Sequence, residues 1–187
     1  AGIFFHTQQV TNTGFPIKQL TSTLGLKNVL FLDDYRGSFN SRSQDIAEEI
    51  NCFDILLHPS QTEGFGLLPI EAMSCGIPAI VNDTTASPEQ IISGVTGEIC
   101  KTDRRRFTPD AVWVWTADVQ DLFECMERLY DKLHKENTIV KDCREHILNN
   151  YNIEKQFKEL WVPLFEELQE ELLTQSVKES KIQIAST

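Results

Sequence analysis

The chain has 187 residues, 41% hydrophobic and 24% charged, which suits one globular domain with a sizeable core or one domain plus a tail. Its formal net charge of -11 argues against nucleic-acid binding, which needs a basic face, but leaves room for a local anion site built from backbone amides. Cys52, Cys75, Cys100, Cys125 and Cys143 are scattered, odd in number and without a CxxC pair. They read as thiols of a reducing compartment, not as zinc ligands or a disulfide framework.

No apolar run approaches the roughly 20 residues of a membrane-spanning helix, and no signal-peptide pattern opens the sequence. A cytoplasmic location is expected, with peripheral docking at a membrane left to a partner domain. In chain order, residues 2–6 read as a short buried strand. Past a turn-like Thr-Asn-Thr-Gly at 11–14, residues 15–24 place Ile17, Leu20 and Leu24 at helical spacing, with Gly25 as the stop. Residues 29–32 form a second strand, 33–43 a polar loop, and 44–51 a short helix with Ile46, Ala47 and Ile50 on one side.

A third strand at 54–58 closes on Pro59, a Gly-containing loop follows at 60–66, and a helix over about 68–74 ends at Gly76. Residues 78–81 read as a fourth strand and 97–100 as a fifth. Between them, 88–93 reads as a helix with Ser87 as N-cap, Pro88 at its first position and Glu89 in its first turn. Arg104, Arg105 and Arg106 read as a solvated loop, and Trp113 and Trp115, alternating with Val112 and Val114, as a strand or hairpin edge. Helices are expected over 118–134, 139–149 and 153–173, the last with Phe157, Leu160, Trp161, Leu164, Phe165 and Leu168 in an apolar stripe. The domain is expected to span 1–174, and 175–187 to be a polar, disordered tail.

Strands alternating with helices imply an α/β domain with a Rossmann-like, doubly wound parallel sheet. Ligands of such sheets bind beyond the carboxyl ends of the strands, here the loops after His6, Leu32, His58 and Val81. The third is the richest. Gly64 and Gly66 permit a tight turn and close approach of a ligand, and the helix opening just after them leaves the amides of Leu67 and Leu68 free to hold an anion. Glu63 in the loop and Glu71 one turn into the helix would flank those amides. Two carboxylates for sugar hydroxyls and amides for a diphosphate between them suit a sugar nucleotide.

The run from Glu63-Gly64-Phe65-Gly66-Leu67 to Glu71-Ala72-Met73-Ser74-Cys75-Gly76 resembles the E-x7-E signature of retaining family 4 glycosyltransferases, of GT-B fold. Asp54-Ile55-Leu56-Leu57-His58-Pro59-Ser60 resembles the strand that leads into it, and Pro88-Glu89 with Gly94-Val95-Thr96-Gly97 the segment that follows. The resemblance implies the C-terminal, donor-binding half of a GT-B enzyme that transfers a sugar from a UDP- or GDP-linked donor with retention. It gives Glu63 the transferred sugar, helped by the amides of Gly64, Phe65 and Gly66. It gives the diphosphate to Leu67 and Leu68, and the ribose hydroxyls to Glu71. No cofactor and no metal is implied beyond the donor itself. His58, Ser60, Thr84 and Thr85 are candidates of second rank.

The chain also departs from the family. Thr84-Thr85-Ala86-Ser87 replaces a frequent Gly-Gly pair, and the segment 101–115 is longer than usual. The family's first βα unit, with an Arg and a Lys that neutralise the diphosphate, has no counterpart, nor does its N-terminal acceptor domain. The expectation is therefore a fragment, inactive alone, completed by an N-terminal part in the same or a companion chain. A phosphorylase is disfavoured because the matched loops lack a lysine for pyridoxal phosphate. The alternative outside catalysis is a scaffolding or regulatory subunit that keeps the half-fold.

Overall fold

The computed structural model describes residues 2–5, 16–31, 42–136 and 138–185. The turn expected at 11–14, the strand-end residues His6 and Leu32, and most of the loop expected at 33–43 lie outside the described residues. Contacts cluster into two compact units, Ala1–Cys52 and Phe53–Thr187.

In the first unit, β1 (Ile3–Phe5) pairs in parallel with β2 (Val29–Phe31), and Phe5 lies opposite Phe31 with ring centroids 5.3 Å apart. Between them in sequence is α1 (Ile17–Thr23), which Gly25 terminates as its position predicts. Gly25 takes φ 63, its N–H donates to Ser22 O, and the Leu26 N–H reaches back to Thr21 O. These two bonds satisfy carbonyls that the helix end would otherwise orphan. α2 (Ser43–Ile50) starts where Asp45 turns back to accept the Arg42 N–H at 3.0 Å.

The second unit is built on a parallel sheet in the order β3 (Leu56–His58), β4 (Ala79–Asn82), β5 (Gly97–Cys100). Successive strand side chains face opposite sides, so the four consecutive buried residues of β4 require cover on both faces. That cover comes from α3 (Leu67–Ser74) on β3 and β4 and from α5 (Val119–Lys135) on β4 and β5, with α6 (Ile139–Asn150) packed against α3. Met73, Ile80, Val81, Leu129, Ile139 and Cys143 belong to the resulting buried cluster. Gly97 is demanded by sheet geometry, because a Cβ there would lie 2.0 Å from Ala79 O on the paired strand. Gly76 closes α3 at φ 83 with the same pair of bonds that ends α1. Asp118 caps α5, accepting from the N–H groups of Gln120 and Asp121 at 2.9 and 3.0 Å.

Four local expectations are corrected. Ser87 is not an N-cap: α4 (Ser87–Gln90) begins on it, because the Thr84 carbonyl already accepts the Ser87 N–H and winds the chain one residue early. The helix also stops at Gln90 and not Ser93, since Ile91 turns extended and the Ile92 N–H is taken by Thr96 Oγ1. The three arginines are solvent-exposed but lie in a strand, β6 (Thr102–Phe107), paired antiparallel with β7 (Trp113–Ala117). Finally, α7 (Ile153–Gln156) leads through a π-helical segment, Phe157–Trp161, into α8 (Val162–Ala185), well past the expected end at Leu173. Beyond Pro163 this stretch has neither Gly nor Pro and is rich in Glu, Leu, Gln and Lys, all good helix formers. Trp113 and Trp115 fall in β7, in line with their alternation.

Candidate functional site

The loop from Ser60 to Gly66 leaves the carboxyl end of β3 and delivers the chain to α3. Gly66 occupies the N-cap position at φ 81, a left-handed conformation that costs other residues about 1 kcal/mol or more. Gly64 has a different duty: no atom lies within 4 Å of where its Cβ would stand, so the backbone there is open to approach. The first turn of α3 carries no acidic side chain, and its amides have no partner within the helix. Pro69, buried in that turn, gives up an N–H that the helix does not need.

The loop is held in place mainly by the segment from β4 to α4. The Asn82 amide donates to Ser60 O at 2.9 Å, and Thr85 Oγ1 accepts the Glu63 N–H at 3.0 Å. Gln90, 1% exposed, donates from Nε2 to the carbonyls of Phe65 and, at 3.0 Å, of Gly66. Drawing both carbonyls inward turns the following amides away from the core. His146 Nε2 lies 2.9 Å from Gln90 O, and the ring of Tyr151 meets Phe65 edge-on at 6.3 Å, so α6 and the residue after it brace the same clamp. On the other side, the Trp115 N–H of β7 donates to Gln61 O at 3.0 Å.

Of the candidates, the structure brings His58 and Glu63 together: His58 Nε2 lies 3.1 Å from Glu63 Oε1, with both side chains partly buried. A ring protonated at Nε2 donates to the carboxylate and fixes its orientation. Glu63 precedes and Glu71 follows the first turn of α3, and Glu71 is exposed. Phe65 and Leu67 are exposed, while Leu68 is partly covered. Ser60 spends its hydroxyl on Thr62 O at 3.2 Å. Thr85 has φ 48, so a β-branched residue occupies left-handed backbone beside the loop. Thr84 is buried, and its Oγ1, Asn82 Oδ1 and Gln90 Oε1 are enclosed without a hydrogen-bond partner among the described residues. Such atoms are rare, and their concentration in one segment sets it apart from the apolar core.

Asn82 and Gln90 are the site residues that sequence reasoning missed. The available signal was a polar side chain at the end of an apolar strand, and another just after Pro88-Glu89. A second cluster lies away from the loop, where Cys100, Asp121 and Cys125 bring one ligand atom each within 4.8 Å of the others. Its groups are already committed. Asp121 accepts the Lys101 N–H at 2.8 Å and Lys101 Nζ at 2.9 Å, which hold its carboxyl below the usual range. Burial pushes the Cys100 thiol up to about 12.

Comparison with known proteins bears on the fold and on part of the sequence. Residues 16–106 match the family model described as glycosyl transferases group 1. The N-acetyl-alpha-D-glucosaminyl L-malate synthase of Bacillus anthracis is 35% identical over 83 residues, covering 44% of this chain and only 22% of that protein. Among solved structures, Anabaena Alr3699/HepE in complex with UDP superposes with a TM-score of 0.61 at 21% identity, over 81% of this chain and 37% of the other. The C-terminal domain of the group 1 glycosyl transferase LpcC from Francisella tularensis gives a TM-score of 0.55 at 22% identity, over 73% of this chain and 61% of the other. Such identities speak for the fold. The chain has the Rossmann-like C-terminal half of the GT-B glycosyltransferase fold, and its residues 16–106 carry the pattern of the glycosyl transferases group 1 family.

Proposed function

We propose that this chain binds the nucleotide-sugar donor of a retaining glycosyltransferase of family 4 type and presents it to an acceptor held by the N-terminal half of the fold, in the same or a companion chain. The observation that carries the reading is the left-handed Gly66 opening α3, with the Phe65 and Gly66 carbonyls drawn off by Gln90. The amides of Leu67 and Leu68 are then free for a diphosphate. Glu63, oriented by His58, takes hydroxyls of the transferred sugar, with the Gly64, Phe65 and Gly66 amides beside it. Glu71 takes the ribose hydroxyls.

In the transfer, the bond from the anomeric carbon to the diphosphate oxygen breaks, and a bond to the acceptor oxygen forms on the same face. The acceptor's proton passes to the departing phosphate. Neither a cofactor nor a metal is needed. The Anabaena relative, crystallised with UDP-glucose, supports a UDP-linked donor, a GDP-linked one being the alternative. An acceptor-binding half of the fold would meet the apolar stripe of the C-terminal helices, where Leu160, Trp161, Leu164, Phe165 and Leu168 are exposed.

Calorimetric titration of the intact protein with UDP and GDP tests the reading. One of them should bind, and Glu71→Ala should weaken it by about 1–3 kcal/mol, the worth of hydrogen bonds to a charged group. Binding of neither would overturn the transferase reading and put a scaffolding role in its place.

A further inference from the structure

Two amide side chains of the β4–α4 segment, Asn82 and Gln90, are fully buried and are used in the same one-sided way. Asn82 Nδ2 donates to Ser60 O, and Gln90 Nε2 to the carbonyls of Phe65 and Gly66. Their oxygens have no partner among the described residues. An enclosed acceptor left unpaired costs stability, and an apolar side chain of the same length would avoid that cost. What Gln90 gives in return is the orientation of the loop backbone. In a trans peptide unit the N–H points opposite to the carbonyl in its plane. The Phe65 carbonyl therefore aims the Gly66 N–H, and the Gly66 carbonyl aims the Leu67 N–H. Both point away from Gln90, within a row of N–H groups from Gly64 to Leu68 that donate to no acceptor among the described residues. Residues 58–76 and 82–90 contain no Lys or Arg, so these amides are the electropositive element of the loop. The main chain at Gln90 is itself held, by His146 Nε2 at 2.9 Å from Gln90 O and by the Tyr151 hydroxyl donating to Glu89 O at 3.2 Å.

We propose that Gln90 is a positioning residue that makes the loop select a nucleoside diphosphate over a monophosphate. The inference rests on the donor-binding reading above and adds the residue that sets its phosphate specificity. The first turn of α3, with free N–H groups at Leu67 and Leu68, suits one phosphate. A second phosphate needs donors further back along the chain. The Gly66 N–H extends the row only while the Phe65 carbonyl is held toward the core, and Gln90 is what holds it there. A carbonyl oxygen released to the ligand's side would face the phosphate oxygens and repel them. Gln90 thus acts through the backbone, without touching the ligand, and the unpaired Oε1 is the stability given up for that placement.

The test is calorimetric titration of the intact protein and its Gln90→Met variant with UDP and UMP, or with GDP and GMP where guanine is the base bound. Met has nearly the length of Gln and carries neither the donor nor the unpaired oxygen. With both proteins folded by circular dichroism, the preference for diphosphate over monophosphate should fall about tenfold in the variant, the worth of a hydrogen bond to a charged group. Affinity for the monophosphate should be unchanged. An unaltered preference would overturn the proposal, and so would a parallel loss of both affinities, which would make Gln90 a residue of the fold alone. A second measurement needs no variant. In wild-type protein the Gly66 amide resonance should shift with the diphosphate only, and that of Leu68 with both nucleotides. A Gly66 amide that responds equally to both would overturn the proposal as well. Wild-type protein that binds neither nucleotide would sink the donor reading itself, whereas a failure confined to the preference or to Gly66 would leave that reading standing.

Discussion

The two parallel sheets of the chain are treated very differently. All four residues of β4 are buried, whereas no residue of β1 or β2 is, and Leu30 in the middle of β2 is 66% exposed. Every member of the buried cluster falls between Met73 and Ile147, and among the described residues of the first unit only Thr21 and Ile50 are buried. A two-stranded sheet has too little neighbouring structure to cover both faces, while three strands with α3, α5 and α6 around them form a core. The candidate loop therefore stands on the region that can hold it rigid.

Glycine replacement should break or sustain this contrast most sharply. Gly97→Val puts a side chain into Ala79 O and should cost more than about 4 kcal/mol, or prevent folding, by urea denaturation. Gly25→Ala meets no atom within 4 Å and should cost only the left-handed penalty of about 1–2 kcal/mol. Equal effects would mean that the two units share stability evenly. Truncation is the next test: Ile80→Ala should lose about 2–5 kcal/mol, while Leu30→Ala should stay within about 0.5 kcal/mol, both read from the denaturation midpoint.

A smaller effect than that of Ile80→Ala belongs to Asp121, for which Asp121→Asn should cost about 1–2 kcal/mol at neutral pH. Its carboxyl is held below the usual range first by the Lys101 N–H and then by the Lys101 ammonium group. The stabilisation is complete above the unfolded aspartate's pKa and is lost as pH falls through the lower folded value. In an acid titration of stability the two proteins should accordingly begin to converge as pH falls below about 4. A constant gap down to acid pH would contradict the assignment.

What was legible in the sequence was largely local. β5 falls on 97–100 as expected, and Gly25 and Gly76 stop their helices because a left-handed residue there needs only its own backbone to be recognised. The loop with Gly64, Gly66, Glu63 and Glu71 was also visible, since its pattern is contiguous. The clamp was not, because Asn82 and Gln90 reach the loop across 22 to 25 residues of sequence and leave no periodic trace. Strand β6 was hidden by four successive charged residues, Asp103 to Arg106, which erase the alternation that marks a half-buried strand. The extension of α8 was hidden by the polarity of its end.

The Gln90 clamp has a kinetic side. A loop whose carbonyls are already fixed by a buried amide is ordered before any ligand arrives, so little conformational entropy remains to be lost on binding. Association is then set by encounter, without a wait for the loop to fold around its guest. Relaxation measurements on the empty protein would find the backbone from Phe65 to Leu68 as quiet as the sheet beneath it. In the proposed donor site, selectivity would then come from the shape presented at first contact, and discrimination would be exercised mainly through how fast each ligand leaves.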